Sequence, residues 1–148
     1  MENMNREILF RGKHIHAMDS NEHLNGTWVH GYLSDKDYIY DKSLEGEFLV
    51  DEDTICQYTG LTDKNGKKIF EGDVVKDSAG VCGEVKFGLY AASFSIPDTN
   101  QGFYIEFPEE SLYRKELGYW ENKVVVIGNI YDSPKLLDDK ENKHGEDI

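Results

Sequence analysis

The chain has 148 residues and a formal net charge of −13, from 29 acidic and 16 basic residues. This length suits one domain or two small subdomains that share a core, and the 39% hydrophobic and 12% aromatic content argues against wholesale disorder. The negative charge opposes non-specific binding to nucleic acid, which depends on neutralising phosphates. No apolar run approaches the length of a membrane span, and we expect no signal peptide in MENMNREILF because it lacks a long apolar core.

In the first part of the chain, short runs of β-forming residues alternate with turn signals. These runs predict strands at residues 8–10, 27–33, 38–40, 47–50 and 54–58. The polar segment 18–26 is expected to be a loop. Strands spaced by about eight to twelve residues, with turns between them, are typical of a small all-β fold.

The segment QYTGLTDKNGKKIFEGDVV, residues 57–75, contains two turn signals close together. Asn65-Gly66 predicts a type I′ hairpin turn, whose two central residues both need positive φ. Gly72-Asp73 predicts a second turn that leads into a strand at 74–76, with an antiparallel partner at 81–87. At the level of the fold, this order resembles small SH3-like barrels.

Towards the C-terminus, residues 88–102 are expected to form a loop and residues 103–107 a strand. Pro108 and the acids behind it predict a short helix that ends at Gly118. A further strand is predicted at 124–127, with a turn after Pro134.

The fold prediction is mainly β: a small SH3-like barrel or meander with a short helix. The alternative is an α+β fold with two β-rich subdomains. The predicted organisation is an N-terminal β-rich subdomain at 1–55, a barrel-like subdomain at 56–133 and an acidic tail at 134–148.

Cys56 and Cys82 lack a CxxC neighbour, so we expect small apolar side chains rather than a disulfide framework or a zinc site. A reducing, cytoplasmic setting fits this cysteine usage.

One candidate interaction site lies at the predicted hairpin turn. Lys64, Lys67 and Lys68 form a basic tip, and Tyr58 and Phe70 are near it in the sequence. A basic tip with aromatics could stack on a nucleic-acid base. A solvated hairpin tip is the favoured interpretation, because the overall charge opposes nucleic acid.

Patterns typical of catalysis are weak. His14 and His16 alternate on one predicted strand, and His30 could join them, but exposed or half-buried histidines are the favoured interpretation over a metal site. Acidic residues are so abundant that a pair of carboxylates close in the sequence is little evidence for a catalytic site. The sequence predicts no catalytic, cofactor-binding or metal-binding residue.

Three blocks carry a family resemblance: FRGK at 10–13, ICQYTGLTDKNGKKIFEGDVV at 55–75 and VIGNIYDSP at 126–134. Together they resemble the YopX family of phage and prophage proteins, whose pattern often reads Phe-Arg-Ala-Trp where this chain has FRGK. The resemblance implies a mostly β, phage-encoded, cytoplasmic protein from a host-infection gene cluster, and it brings no functional residues with it.

The expected function is a β-rich interaction module that binds another protein or itself, in the cytoplasm of an infected or lysogenic host. Exposed strand edges and aromatics would supply the contacts. A nucleic-acid-associated module that uses the lysine tip is the first alternative, and an uncharacterised enzyme is the second. No membrane partner and no cofactor are expected.

Overall fold

The computed structural model describes residues 7–15, 26–93, 96–108 and 114–138. Short antiparallel strands dominate this part of the chain, as the alternating pattern predicts. The strands are β1 Phe10–Lys13, β2 Trp28–Asp35, β3 Tyr38–Asp41, β4 Gly46–Leu49, β5 Cys56–Thr62, β6 Lys68–Phe70, β7 Asp73–Lys76, β8 Cys82–Ser93, β9 Ile96–Glu106 and β10 Val125–Asn129. Helical segments are short: α1 at Leu117–Trp120 and 3₁₀ turns at Glu52–Thr54 and Pro134–Asp138.

The strands form two open antiparallel sheets, with the orders β4-β3-β2-β1-β5-β6 and β10-β7-β8-β9. The prediction of a mainly β fold with a short helix is confirmed. The four strands β1 to β4 lie side by side in chain order, which is the meander form of that prediction. Its SH3-like barrel form is wrong, because the described strands close no barrel.

The chain divides into two compact units, Met1–Gly60 and Leu61–Ile148. Each unit has its own apolar core, built from inward-facing strand residues. The core of the first unit contains Val29, Ile39, Phe48 and Val50, with Phe10 and Ile55 packed against them. The core of the second unit contains Ile69, Val75, Val85, Ile105, Phe107, Leu117, Trp120, Val124 and Val126.

Strand β1 lies later in the chain than the apolar run predicts. It begins at Phe10 and continues through Gly12 to Lys13. Arg11 and Lys13 lie 4.7 and 5.7 Å from the centre of the Trp28 ring on the neighbouring strand. Cation–π contacts of this kind let a basic segment run beside β2, which explains why a charged sequence forms a strand here.

The predicted loop at 88–102 is wrong, because its described residues, 88–93 and 96–102, belong to the long paired strands β8 and β9. The ladder runs from Glu84 opposite Glu106 to Ser93 opposite Ile96. Gly88 and Gly102, which resemble strand breakers in the sequence, lie directly opposite each other. Pairing two glycines leaves the ladder unbroken, since neither side chain needs a partner.

The helix predicted from Pro108 to Gly118 is also wrong in its bounds. Residues 109–113 lie outside the described residues, Glu116 forms an isolated bridge to Tyr104, and helix α1 then includes Gly118. The amide of Ile105 donates to the carbonyl of Lys115 at 2.9 Å. The segment before the helix therefore covers part of the outer edge of β9. The predicted loop at 18–26 lies mostly outside the described residues.

Candidate functional site

The predicted tip at Asn65-Gly66 is a hairpin loop, but not of type I′. Gly66 has a φ of +85°, whereas Asn65 is not among the residues with positive φ. The Gly66 amide donates to the Asp63 carbonyl at 3.0 Å, and the Asp63 amide donates to the Lys67 carbonyl at 2.8 Å. These bonds define a type I turn followed by a left-handed glycine, the geometry of a three-residue hairpin loop.

The carboxylate of Asp63 organises this loop from inside. Its Oδ1 accepts hydrogen bonds from the amides of Asn65 at 2.8 Å and Lys67 at 2.9 Å. Its Oδ2 accepts from the amide of Val126 on β10 at 2.9 Å. Asp63 is 2% exposed. Burial alone would raise the pKa of this carboxyl, but the hydrogen bonds from Val126, Lys67 and Asn65 and the Lys67 charge together hold the pKa below its ordinary value.

The structure separates the predicted tip into exposed and buried parts. Lys64, Lys67 and Lys68 are exposed. Tyr58 and Phe70 are 8% and 4% exposed. The two aromatics therefore belong to the interior and cannot stack on a ligand, which removes the aromatic half of the proposed tip. Sequence proximity cannot reveal this, because it does not show which face of a strand is buried.

The second predicted turn, at Gly72-Asp73, is a buried junction. The amide of Gly72 donates to the Val85 carbonyl at 2.8 Å, and its carbonyl accepts from the Ile130 amide at 3.0 Å. Asp73 is 2% exposed, and its Oδ2 accepts from the Phe70 amide at 2.7 Å. The segment that carries the family signature thus acts as scaffold.

The same aspartate arrangement recurs at two other hairpins. Between β7 and β8, Oδ1 of Asp77 accepts from the amides of Ala79 and Val81, both at 2.9 Å. Between β3 and β4, Oδ1 of Asp41 accepts from the Ser43 amide at 3.0 Å. An aspartate that binds backbone amides ahead of it is an Asx-type loop, and the Asp-x-x-Gly spacing of the loops at 63–66 and 77–80 is the sequence signal for it.

Asp41 also uses its second oxygen as Asp63 does. Its Oδ2 accepts from the His30 amide on β2 at 2.9 Å. Burial opposes ionisation of Asp41, but this bond and those from Ser43 and Leu44 lower the pKa of its carboxyl. Asp41 therefore has a structural role, whereas most of the other acidic residues between positions 35 and 53 are exposed.

The two candidate histidines that the structure describes, His14 and His30, differ in burial. His14 is 2% exposed; its Nδ1 lies 2.8 Å from the Leu49 carbonyl, and its ring contacts Phe48 edge-on at 5.3 Å. His30 is exposed, and His16 lies outside the described residues. Within the described residues, no group of three or more His, Cys, Asp or Glu side chains could hold a metal ion.

The two cysteines differ in burial. Cys56 is 1% exposed, as expected for a small apolar residue, whereas Cys82 is only half-buried. The two cysteines are not joined in a disulfide.

Among the described residues, Leu89 on the β8–β9 hairpin is the most exposed large apolar side chain, a feature that the sequence interpretation missed. We call residues 87–91 and 99–103 the hairpin arm. Phe87 is 52% exposed and Leu89 is 69% exposed. Both lie on the same strand face as Val85, which is fully buried. Phe87 packs edge-on against Phe103 of β9 at 4.8 Å. The apolar face thus continues from the core onto the exposed arm.

The opposite face of the hairpin is polar at its base and aromatic further out. The Lys86 ammonium lies 2.6 Å from the Glu106 carboxylate. Hydrogen bonding to Glu106 raises the pKa of Lys86. Burial, together with the nearby Glu106 and Glu71, raises the pKa of Glu84 against the lowering effect of Lys86. Tyr90 and Tyr104 stack at 5.1 Å.

Tyr119, another exposed aromatic residue, lies in a basic setting. The Tyr119 ring has the Arg114 guanidinium 4.6 Å and the Lys123 ammonium 4.5 Å from its centre. Tyr119 is 38% exposed. The Lys64 amide donates to the carbonyl of Val124, next to Lys123, at 3.0 Å. This cluster combines a solvent-accessible aromatic with cations, which Tyr58 and Phe70 do not.

These features define a mainly β protein with two antiparallel sheets, a scaffold of aspartate-closed hairpins and an exposed apolar arm. The model of the family described as YopX protein matches residues 9–138. The chain belongs to this family, as the three sequence blocks predict. No curated protein matches the chain. Among the described residues, no helix is long and apolar enough to cross a membrane.

Proposed function

We propose that this YopX-family chain is a phage- or prophage-encoded interaction module, which binds protein through the apolar face of the hairpin arm in the cytoplasm of the host cell. The observation that carries the proposal is the exposure of Phe87 and Leu89, at 52% and 69%, on a face that is fully buried at Val85. Contiguous apolar surface of this kind is typical of protein interaction sites. Aromatic residues also contribute strongly to such contacts.

The arm has the composition of an interface core. The segment FGLYAASFSIPDTNQGF, residues 87–103, contains one charged residue, Asp98, in a chain of which 30% is charged. Interface cores are depleted in charge and enriched in aromatics. A solvated loop of the same length would be expected to share the charged character of the rest of the chain.

Charged substitutions on the arm test this proposal. Leu89→Glu and Phe87→Glu place a charge on the apolar face, while Leu44→Glu adds the same charge at another exposed leucine, in the β3–β4 turn. Tagged versions are expressed in infected or lysogenic cells, and captured proteins are quantified. We expect both arm variants to lose at least about 90% of the specific partner, because each good apolar anchor contributes about 2 kcal/mol or more.

The control variant should keep the partner. If the arm variants capture the same proteins as the unmodified chain, in the same amounts, the arm is not the binding surface and the proposal fails. Circular dichroism on all three variants checks that the fold is retained.

A nucleic-acid-associated module is the second candidate, favoured by the exposed lysines of the loop and by the cluster around Tyr119. It predicts that Lys64→Glu, Lys67→Glu and Lys68→Glu together abolish the binding of a labelled single strand in fluorescence anisotropy. Lys36→Glu, Lys42→Glu and Lys135→Glu together are the matched control, since these lysines are also exposed. Equal effects of the two triple variants would exclude a specific role for the loop.

A further inference from the structure

The apolar face of the arm is a narrow strip on two paired strands. Phe87 lies opposite Phe103, and Leu89 lies opposite Gln101. These four side chains share one face, because pairs two positions apart along an antiparallel ladder point to the same side. Ala91, the next residue of β8 on this face, is exposed as well.

We propose that the occupant of this strip is the same strip on a second copy of the chain, so that two arms pack face to face about a twofold axis. This inference rests on the proposed function, since it names the partner of that surface. In a twofold contact both copies contribute the same residues, so the side chains of the strip must be compatible with identical side chains on the other copy. Phenylalanine and leucine meet this condition, whereas like charges repel.

The charge distribution favours a second copy over a basic partner. Two molecules that each carry a net charge of −13 repel one another over most orientations. The arm, in which none of the residues at 87–91 and 99–103 is charged, is a surface on which two copies can approach with little repulsion. A basic partner would be selected by acidic side chains. The arm, residues 87–91 and 99–103, has no acidic side chain that could select such a partner.

The size of the strip limits the affinity. Stable complexes bury about 800 Å² on each partner. Two short strand segments offer less than this on one face, so we expect a reversible dimer with a Kd in roughly the micromolar range. Repulsion between the two molecules weakens it further at low salt and is screened at high salt, so association should strengthen as salt is added. A charge-complementary partner would show the opposite dependence.

Sedimentation velocity over a range of protein concentrations tests the inference, at about 50 mM and about 500 mM sodium chloride. The unmodified chain is expected to change from monomer to dimer with concentration, with a lower Kd at high salt. Leu89→Glu should weaken the dimer at least about tenfold, which corresponds to about 1.4 kcal/mol. Leu89→Ser, which adds no charge, should also weaken it, and Leu44→Glu should not.

A mixture of charge variants gives a sharper readout. Leu89→Glu and Leu89→Lys should each be monomeric, and their equimolar mixture should form a dimer, because opposite charges then face each other across the axis. A mixture that stays monomeric overturns the face-to-face arrangement.

The remaining outcomes separate this inference from the proposed function. A chain that is monomeric at every concentration, and whose arm variants still lose a captured host or phage protein, overturns self-association but leaves the arm as a binding surface. A dimer that Leu89→Glu and Leu89→Ser do not weaken places the interface elsewhere and overturns the inference. A monomer whose arm variants change no captured protein overturns both.

Discussion

At the scale of single residues, a few aspartates fix the hairpin loops, and Asp63 does so from a buried position. Removing its carboxylate leaves three backbone amides without an acceptor, one of them on β10. Hydrogen bonds to charged groups contribute about 1.5–3 kcal/mol each, and unsatisfied buried amides add to the loss. We expect Asp63→Ala to lower the free energy of unfolding by about 3 kcal/mol in urea titration.

Asp77 is the matched control for that substitution. Its carboxylate accepts the same two loop bonds, and among the described residues this half-buried side chain makes no hydrogen bond to a distant strand. Asp77→Ala should therefore cost about 1 kcal/mol, close to the loss of an ordinary cap. Equal losses at the two positions would show that the bond from Asp63 to the Val126 amide contributes nothing.

The same carboxylates predict a pH dependence. The pKa values of Asp63 and Asp41 are both lowered from an ordinary value of 3.8 in the folded chain. A carboxyl with a lowered folded pKa stabilises the fold above its unfolded pKa, and this contribution is lost as the pH falls through the folded value. Stability measured in urea should thus decline below about pH 4. Asp63→Asn and Asp41→Asn should each make that decline shallower, and unchanged slopes would contradict the prediction.

Glu84 contributes a pH dependence of stability that is opposite to that of Asp63 and Asp41. Its folded pKa is raised, chiefly by burial, so its ionised form is less favourable in the folded chain than in the unfolded one. Its contribution to stability is therefore present at acidic pH and is lost as the pH rises through its titration range. Glu84→Gln should raise the melting temperature at neutral pH, and the gain should vanish at pH 3. A gain that is the same at both pH values would have another cause.

At the scale of secondary-structure elements, alternation and turn glycines predict much of the strand pattern. A period of two puts Val29 and Gly31 on one face of β2 and His30 and Tyr32 on the other, and the burial agrees, since the first two are buried and the other two exposed. The long β8–β9 hairpin could not be predicted this way, because its cross-strand glycine pair imitates a loop. The register of two strands is a non-local property, and a single run of residues does not encode it.

One glycine tests the packing between β2 and β3. A Cβ added to Gly31 would lie 1.7 Å from the Tyr40 carbonyl oxygen, so the backbone of β3 would have to move. We expect Gly31→Ala to cost about 3 kcal/mol in thermal or urea unfolding. Gly46→Ala on β4 is the control, since its Cβ would meet Phe48 at an ordinary 3.7 Å. A loss no larger at Gly31 than at Gly46 would contradict this packing.

At the scale of the whole molecule, the net charge of −13 sets a general response to salt. Repulsion among like charges destabilises the compact state, and added salt screens it. We expect the melting temperature of Leu89→Glu, which is monomeric on our proposal, to rise between about 10 mM and about 300 mM sodium chloride. A melting temperature that falls over this range would show that specific ion pairs outweigh the general repulsion.

The candidate site was less predictable from the sequence than the fold, because the burial of a side chain, like the register of two strands, is a non-local property. The lysine loop was visible in the sequence because its charges are local, but the burial of Tyr58 and Phe70 depends on the complete sheets. The arm was invisible because an exposed apolar strand face has the same composition as a buried one. Its low charge is the one local signal that could have identified it.

The paired loops at 63–67 and 77–81 have a practical consequence for work on this chain. Both are closed by an aspartate and a left-handed glycine. In the second loop, Ser78 and Ala79 lie between Asp77 and Gly80 and are exposed. A fluorophore or a short affinity peptide attached there would leave the closing hydrogen bonds intact. The second loop is therefore the better attachment point for labels. The first loop should not be modified, because Asp63 links it to β10 by a hydrogen bond.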